Sequence, residues 1–178
     1  MDAITFRIAT PHDIPALIEL VTSAYRGDAS RVGWTTEADL LDGQRVDAEG
    51  ILADLQRPRS VILLAERGAA LLACCHVADE DGHGYFGMFA VSPSAQGSGV
   101  GKQVMQQAEQ LVREQWQLPS MHMTVIDCRD ELIAFYQRRG YARTGIKKPF
   151  PYGDERFGIP KREGLQFEVL EKPLEARA

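Results

Sequence analysis

The chain has 178 residues, 44% of them hydrophobic and 25% charged. That suffices for one core and is short for two domains. A formal net charge of −5 argues against nucleic acid or an anionic membrane as the main partner. The longest apolar runs, such as "AALLACC", are too short to span a bilayer. Three cysteines, an odd number without metal-ligand spacing, exclude a disulfide scaffold and point to a reduced, cytoplasmic setting.

In chain order, "ITFRIA" alternates and predicts a first strand. "TPHDIPALIELVTSAY" predicts a helix with Thr10 as N-cap, Pro11 at the first position and Asp13 completing a box. Ile14, Leu17, Ile18 and Val21 form its apolar face. "RGDASRVGWTTEADLLDGQR" is broken by glycines and reads as a long ordered loop. "DAEGILADLQ" predicts a second helix, ended by "RPRS". "SVILLAE", "AALLACCHVAD" and "HGYFGMFAVS" predict an antiparallel meander with turns at Arg67-Gly68 and "DEDGHG". From Gly99, apolar residues recur at Val100, Val104, Met105, Ala108, Leu111, Val112 and Trp116, the period of a long helix. "MHMTVI" is a strand. "DCRDELIAFYQRR" is a helix with Asp127 or Cys128 near its N-cap and Gly140 at C′. "YARTGI" is extended, "KKPFPYGDERFGIPKREG" irregular, and "LQFEVLEK" closes the sheet. The order β-α-α-β-β-β-α-β-α-β-β is that of a single α/β domain over residues 1–178 with a mixed sheet.

The stretch "SPSAQGSGVGKQVMQQAEQLV" puts glycines at 97, 99 and 101, where the long helix starts. A Walker A loop fails here twice: the first glycine position holds Gln96, and Gln103 follows Lys102. A dinucleotide fingerprint from Gly97 fails because position 102 is lysine. What remains is Q-x-x-G-x-G between a strand and a helix. Free N–H groups and the dipole at a helix start favour an anion, and missing side chains let a bulky one approach.

"MFAVSPSAQGSGVGKQVMQQAE" resembles the acetyl-CoA-binding motif of the GNAT superfamily of N-acetyltransferases, with Val91, Pro93, Gln96, Gly99 and Gly101 in place. "ELIAFYQRRGYARTG" resembles a second motif of that family through Phe135, Tyr136, Gly140 and Tyr141. "FRIATPHDIPALIELV" is similar to its opening strand and helix. The likeness spans most of residues 4 to 145. It implies a central mixed sheet of about seven strands flanked by about four helices and splayed between the fourth and fifth strands. It also implies acetyl-CoA as cosubstrate. Pantetheine would pair with Phe89, Ala90 and Val91, and the diphosphate with the turn of Gln96, Gly97, Ser98, Gly99, Val100, Gly101 and Lys102. Arg129 stands where the family often has a cofactor-contacting asparagine. The family's frequent glutamate base has no clear counterpart in "HGYFGMFAV".

The resemblance implies direct attack of an amine on the thioester through a tetrahedral intermediate, with Tyr136 as the acid for the departing thiolate. A phenol is protonated at neutral pH and can donate. The base is open: His83, at the start of the fourth strand, is one candidate, beside Glu80, Asp81, Glu37 and Asp39. Cys128 lacks a histidine partner for nucleophilic work. His12, His76 and His122 show no metal spacing, so no metal is expected. The two long loops carry Trp34, Glu37 and Tyr152, with Asp39, Phe150, Asp154, Glu155 and Phe157, and an aromatic, acidic pocket suits an alkyl amine. A homodimer contact is the other use of such loops. The expected function is acetylation of a small-molecule amine. A non-catalytic acyl-CoA-binding module and a protein or aminoacyl-tRNA acceptor remain as alternatives.

Overall fold

The computed structural model describes residues 3–25, 41–42, 46–149, 159–161 and 164–174. The strands are β1 (Ile4–Ile8), β2 (Leu41–Asp42), β3 (Ser60–Arg67), β4 (Ala70–Glu80), β5 (His83–Val91), β6 (Ser120–Ile126), β7 (Ala142–Pro149), β8 (Ile159–Pro160) and β9 (Gln166–Pro173). The helices are α1 (Ile14–Tyr25), α2 (Ala48–Gln56), α3 (Val100–Gln110) and α4 (Asp130–Gln137). Seven strands form one sheet in the order β1-β3-β4-β5-β6-β9-β7. The expected β3–β4–β5 meander is there, antiparallel throughout. The last strand, β9, lies between β6 and β7 and runs antiparallel to both.

Each face of the sheet has its own core. Leu17, Val21, Ile51, Ile62, Leu64 and Cys74 pack under α1 and α2. Phe86, Phe89, Val104, Met105, Leu132 and Tyr136 pack under α3 and α4. The helix patterns follow from this. In α1 the predicted face holds, with Leu17 and Val21 fully buried. A short 3-10 turn precedes it, where the Asp13 carboxylate accepts the Thr10 N–H at 2.8 Å. Asp47 caps α2 by accepting the Gly50 N–H at 2.7 Å. The periodic residues of α3 are buried from Val100 to Val112, and a π turn at Leu111–Gln115 ends it.

Two boundaries depart from expectation. The fourth helix runs Asp130–Gln137, shorter than the stretch from Asp127 to Arg139, and its N-cap is Arg129, next to Cys128. The Asp127 N–H donates to the Gln166 carbonyl at 2.8 Å, and a turn closed by the Arg129 N–H on the Ile126 carbonyl occupies Asp127 and Cys128. The segment expected to be irregular after "YARTGI" begins as strand. β7 bulges between Arg143 and Lys147, then pairs Lys147–Pro149 with Gln166–Glu168. Pro149 is tolerated because β7 is an edge strand. A further pair lies within the long loops: Leu41 opposes Pro160 and Asp42 opposes Ile159. Among the described residues no helix is long and apolar enough to cross a membrane.

Candidate active site

The fourth and fifth strands of the sheet, β5 and β6, are its parallel pair, and they share two register positions, Gly84 opposite Met121 and Tyr85 opposite His122. Beyond these they diverge. On its other side, β5 has one residue too many against β4. Ala90 faces Cys74 and Gly87 faces His76, so three steps on β5 match two on β4. This is a β-bulge, and Met88 within it has φ 45°. A non-glycine residue in the left-handed region is uncommon. The Met88 carbonyl accepts a hydrogen bond from Cys74 Sγ at 3.4 Å. The bulge puts Phe86 and Phe89, three residues apart, into the same core.

The divergence opens a cleft of about 50 Å³. Gly87, Met88 and Phe89 line it from β5, Thr124 and Val125 from β6, and Arg129 and Tyr136 from the following segment. Tyr136 is 4% exposed and Arg129 9%. The Tyr136 ring is fixed among aromatics, with ring centroids 5.6 Å from Phe135, 6.1 Å from Tyr141 and 6.2 Å from Phe89. Burial drives the Tyr141 phenol well above its ordinary value, with Glu109 adding to it. The thiol of Cys75 is raised by burial in the same way.

At the end of β5 the chain enters the glycine turn. Gln96 Nε2 donates to the Val91 carbonyl at 3.1 Å and ties the turn to the strand. Gly97 (φ 86°) and Gly99 (φ 87°) are left-handed, and a Cβ on either would meet nothing within 4 Å. Gly101 is different: its Cβ would point at β5, 3.1 Å from Phe89 Cζ and 3.4 Å from Val91 Cγ2. The first bond of α3 is Gln103 N–H to the Gly99 carbonyl. The N–H groups of Val100, Gly101 and Lys102 therefore have no acceptor within the helix. An open cradle, a helix start and Lys102 fit a diphosphate.

The structure thus brings together Phe89, Tyr136, Arg129 and, one turn further, the glycine segment. His83 is not brought there. It is exposed, with Nδ1 3.0 Å from Ser120 Oγ and its ring stacked on His122 at 4.4 Å. His122 Nε2 in turn lies 3.2 Å from Glu171 Oε1, out of line for a hydrogen bond. Five residues separate His83 from Met88, roughly 16 Å at about 3.3 Å per residue. It occupies the closed end of the splay because the two strands join at their beginnings. Glu80, facing Arg57 at 3.7 Å, and Asp81, in the β4–β5 turn, lie at that end too. Trp34, Glu37, Asp39, Phe150, Tyr152, Asp154, Glu155 and Phe157 fall outside the described residues. Among the described residues no group of three or more His, Cys, Asp or Glu is placed to hold a metal ion.

Sequence reading missed Gly87, Met88, Thr124 and Val125 of the cleft, and Met88 shapes it most. Its signal was there: Phe86 and Phe89 have a spacing of three, which strict alternation cannot bury on one face.

With this geometry in view, the family model of the Acetyltransferase (GNAT) family matches residues 15–141. The chain belongs to that family. This GNAT chain is similar in structure to Ard1 from Thermoplasma volcanium, with TM-score 0.73 and 18% identity over 97% of this chain and 99% of that one. It is also similar to yncA from Salmonella typhimurium, a putative acetyltransferase solved with its cofactor acetyl-CoA, at TM-score 0.70 and 19% identity, covering 99% and 96%. The ribosomal-protein-S18-alanine N-acetyltransferase from Escherichia coli aligns at TM-score 0.71 and 12% identity, covering 99% and 97%. At such identities the likeness speaks for the fold alone. No curated protein matches the sequence.

Proposed function

We propose that this GNAT protein transfers the acetyl group of acetyl-CoA to a primary amine of a small molecule. The observation that carries this is the cleft at the β5 bulge, lined by Tyr136, with the open glycine cradle at the end of the same strand. Family membership and a structural neighbour solved with acetyl-CoA support it. Acetyl-CoA supplies a thioester carbonyl and a thiolate leaving group.

The chain's residues then divide the work. The turn from Gln96 to Lys102 binds the diphosphate through its N–H groups, with Gly97 and Gly99 leaving the room. Phe89, Ala90 and Val91 present backbone to the pantetheine arm, and the buried Arg129 adds a cation to the cleft wall. The amine nitrogen bonds to the carbonyl carbon to give a tetrahedral intermediate, whose collapse breaks the carbon–sulfur bond. Backbone N–H groups at the Met88 bulge, where the β4 register shifts, stabilise the oxyanion. Tyr136 donates its proton to the departing sulfur; solvent takes up the proton shed by the amine and returns one to the tyrosinate, which restores the phenol. The two long segments joined by β2 and β8 bind the acceptor, with Trp34, Glu37 and Tyr152 as contacts. The three cysteines form no disulfide with one another, in keeping with a reducing, cytoplasmic setting.

The test is acetyl-CoA turnover with a panel of small amines and N-terminal peptides, read as CoA release above hydrolysis. Acetylation of a small amine is the expected result. Turnover with peptides alone would make the acceptor a protein. Tight CoA binding without turnover would make the chain a binding module.

A further inference from the structure

A second tyrosine, Tyr85, lies against Gly87, a residue of this cleft, on the opposite face of the sheet from Tyr136. Tyr85 and Gly87 are two residues apart on β5 and share a face. A Cβ on Gly87 would overlap the Tyr85 hydroxyl and come within 2.6 Å of Cε1 and Cζ. Only glycine at 87 lets the ring lie along the strand, with its hydroxyl over a residue that lines the cleft and adjoins the bulge. His76, directly across on β4 from Gly87, meets the Tyr85 ring edge-on at 5.7 Å. His76 is itself fixed. Its Nε2 shares a 2.7 Å hydrogen bond with Ser60 Oγ, and its Nδ1 lies 3.7 Å from Asp54 Oδ2 on α2. Both Ser60 and His76 are buried.

This is the α1/α2 face. Tyr136 belongs to the core on the α3/α4 face. The two phenols therefore flank the splay from opposite sides.

We infer that Tyr85 binds the acceptor amine. Its hydroxyl oxygen accepts one N–H of the incoming primary amine and turns the nitrogen lone pair toward the thioester carbonyl, which is held from the Tyr136 side. No proton changes hands at Tyr85. The role rests on the acetyl transfer proposed above and specifies where its second substrate enters. His76 and Ser60 act as positioning residues that keep the ring over Gly87.

Tyr85→Phe tests this, because the ring and its contacts with Gly87 and His76 stay. kcat/KM for the amine should fall about tenfold, the loss of one hydrogen bond to a reacting group. KM for acetyl-CoA, CoA affinity by calorimetry and melting temperature should match wild type. Unchanged kcat/KM for the amine would overturn the role of Tyr85 alone. An equal loss in CoA affinity or a lowered melting temperature would assign the hydroxyl to packing and overturn it too. A wild-type chain that binds acetyl-CoA yet acetylates no amine would overturn the transfer reading and this role with it.

Discussion

At the scale of the residue, the three glycines of the turn do different jobs. Gly97 and Gly99 are needed for left-handed backbone beside open space, and Gly101 for the close approach of α3 to Phe89. Gly101→Val should therefore lower the melting temperature, since a branched side chain would overlap the Phe89 ring. Gly99→Ala should leave a folded protein with CoA affinity reduced at least tenfold, about 1.4 kcal/mol, measured by calorimetry. Equal CoA affinity in wild type and Gly99→Ala would remove the cradle from the cofactor site. The sequence shows the alternating glycines but not this division, because the direction of a Cβ at 101 matters only once β5 lies beneath it. Tyr136, Phe135 and Tyr141 were legible from their motif, and the packing of their rings with Phe89 was not. Tyr136→Phe keeps the aromatic cluster and deletes the hydroxyl. Its single-turnover rate should fall by about 10²–10⁴-fold with CoA affinity intact. A wild-type rate would end the acid assignment.

At the scale of the element, the elements carrying the site were readable from periodicity, and the irregularities that make the site were not. The α3 stripe and the β3–β5 meander needed only local pattern. The Met88 bulge, the later start of α4 and the extension of β7 depend on cross-strand pairing between distant segments. β7 shows why. Glu168, 2% exposed on β9, takes hydrogen bonds from Arg143 Nη2 at 2.6 Å and Lys147 Nζ at 2.9 Å across the β7 bulge. Arg143 first and Lys147 second hold its carboxyl down to about 2, from an ordinary value of 4.5. Folding thus favours the ionised form. Its stabilisation is complete above about 4.5 and is lost as pH falls through about 2. Glu168→Gln should melt below wild type at pH 6, and the two melting curves should converge between those limits. A constant difference across that range would place the effect elsewhere.

At the scale of the whole molecule, the sheet is two leaves. β1, β3, β4 and β5 make one, β6, β9 and β7 the other, and two parallel pairs at Gly84 and Tyr85 form the seam in the sheet. A seven-strand mixed sheet was foreseeable from the family likeness, and the seam is the shortest ladder in it. A ligand arm laid along Phe89–Val91 would act as the missing rung between the leaves. Binding would then be felt mechanically as well as chemically, since the ligand would replace strand pairing that the chain itself never makes. Hydrogen exchange followed by mass spectrometry should show this. Adding acetyl-CoA should slow exchange in β5 beyond Gly87 and in the first turn of α3, and leave β1 unchanged. Without ligand the leaves should open as separate units. With it they should melt as one, at a temperature that climbs with ligand concentration, so that the substrate becomes part of the protein's own architecture for as long as it stays.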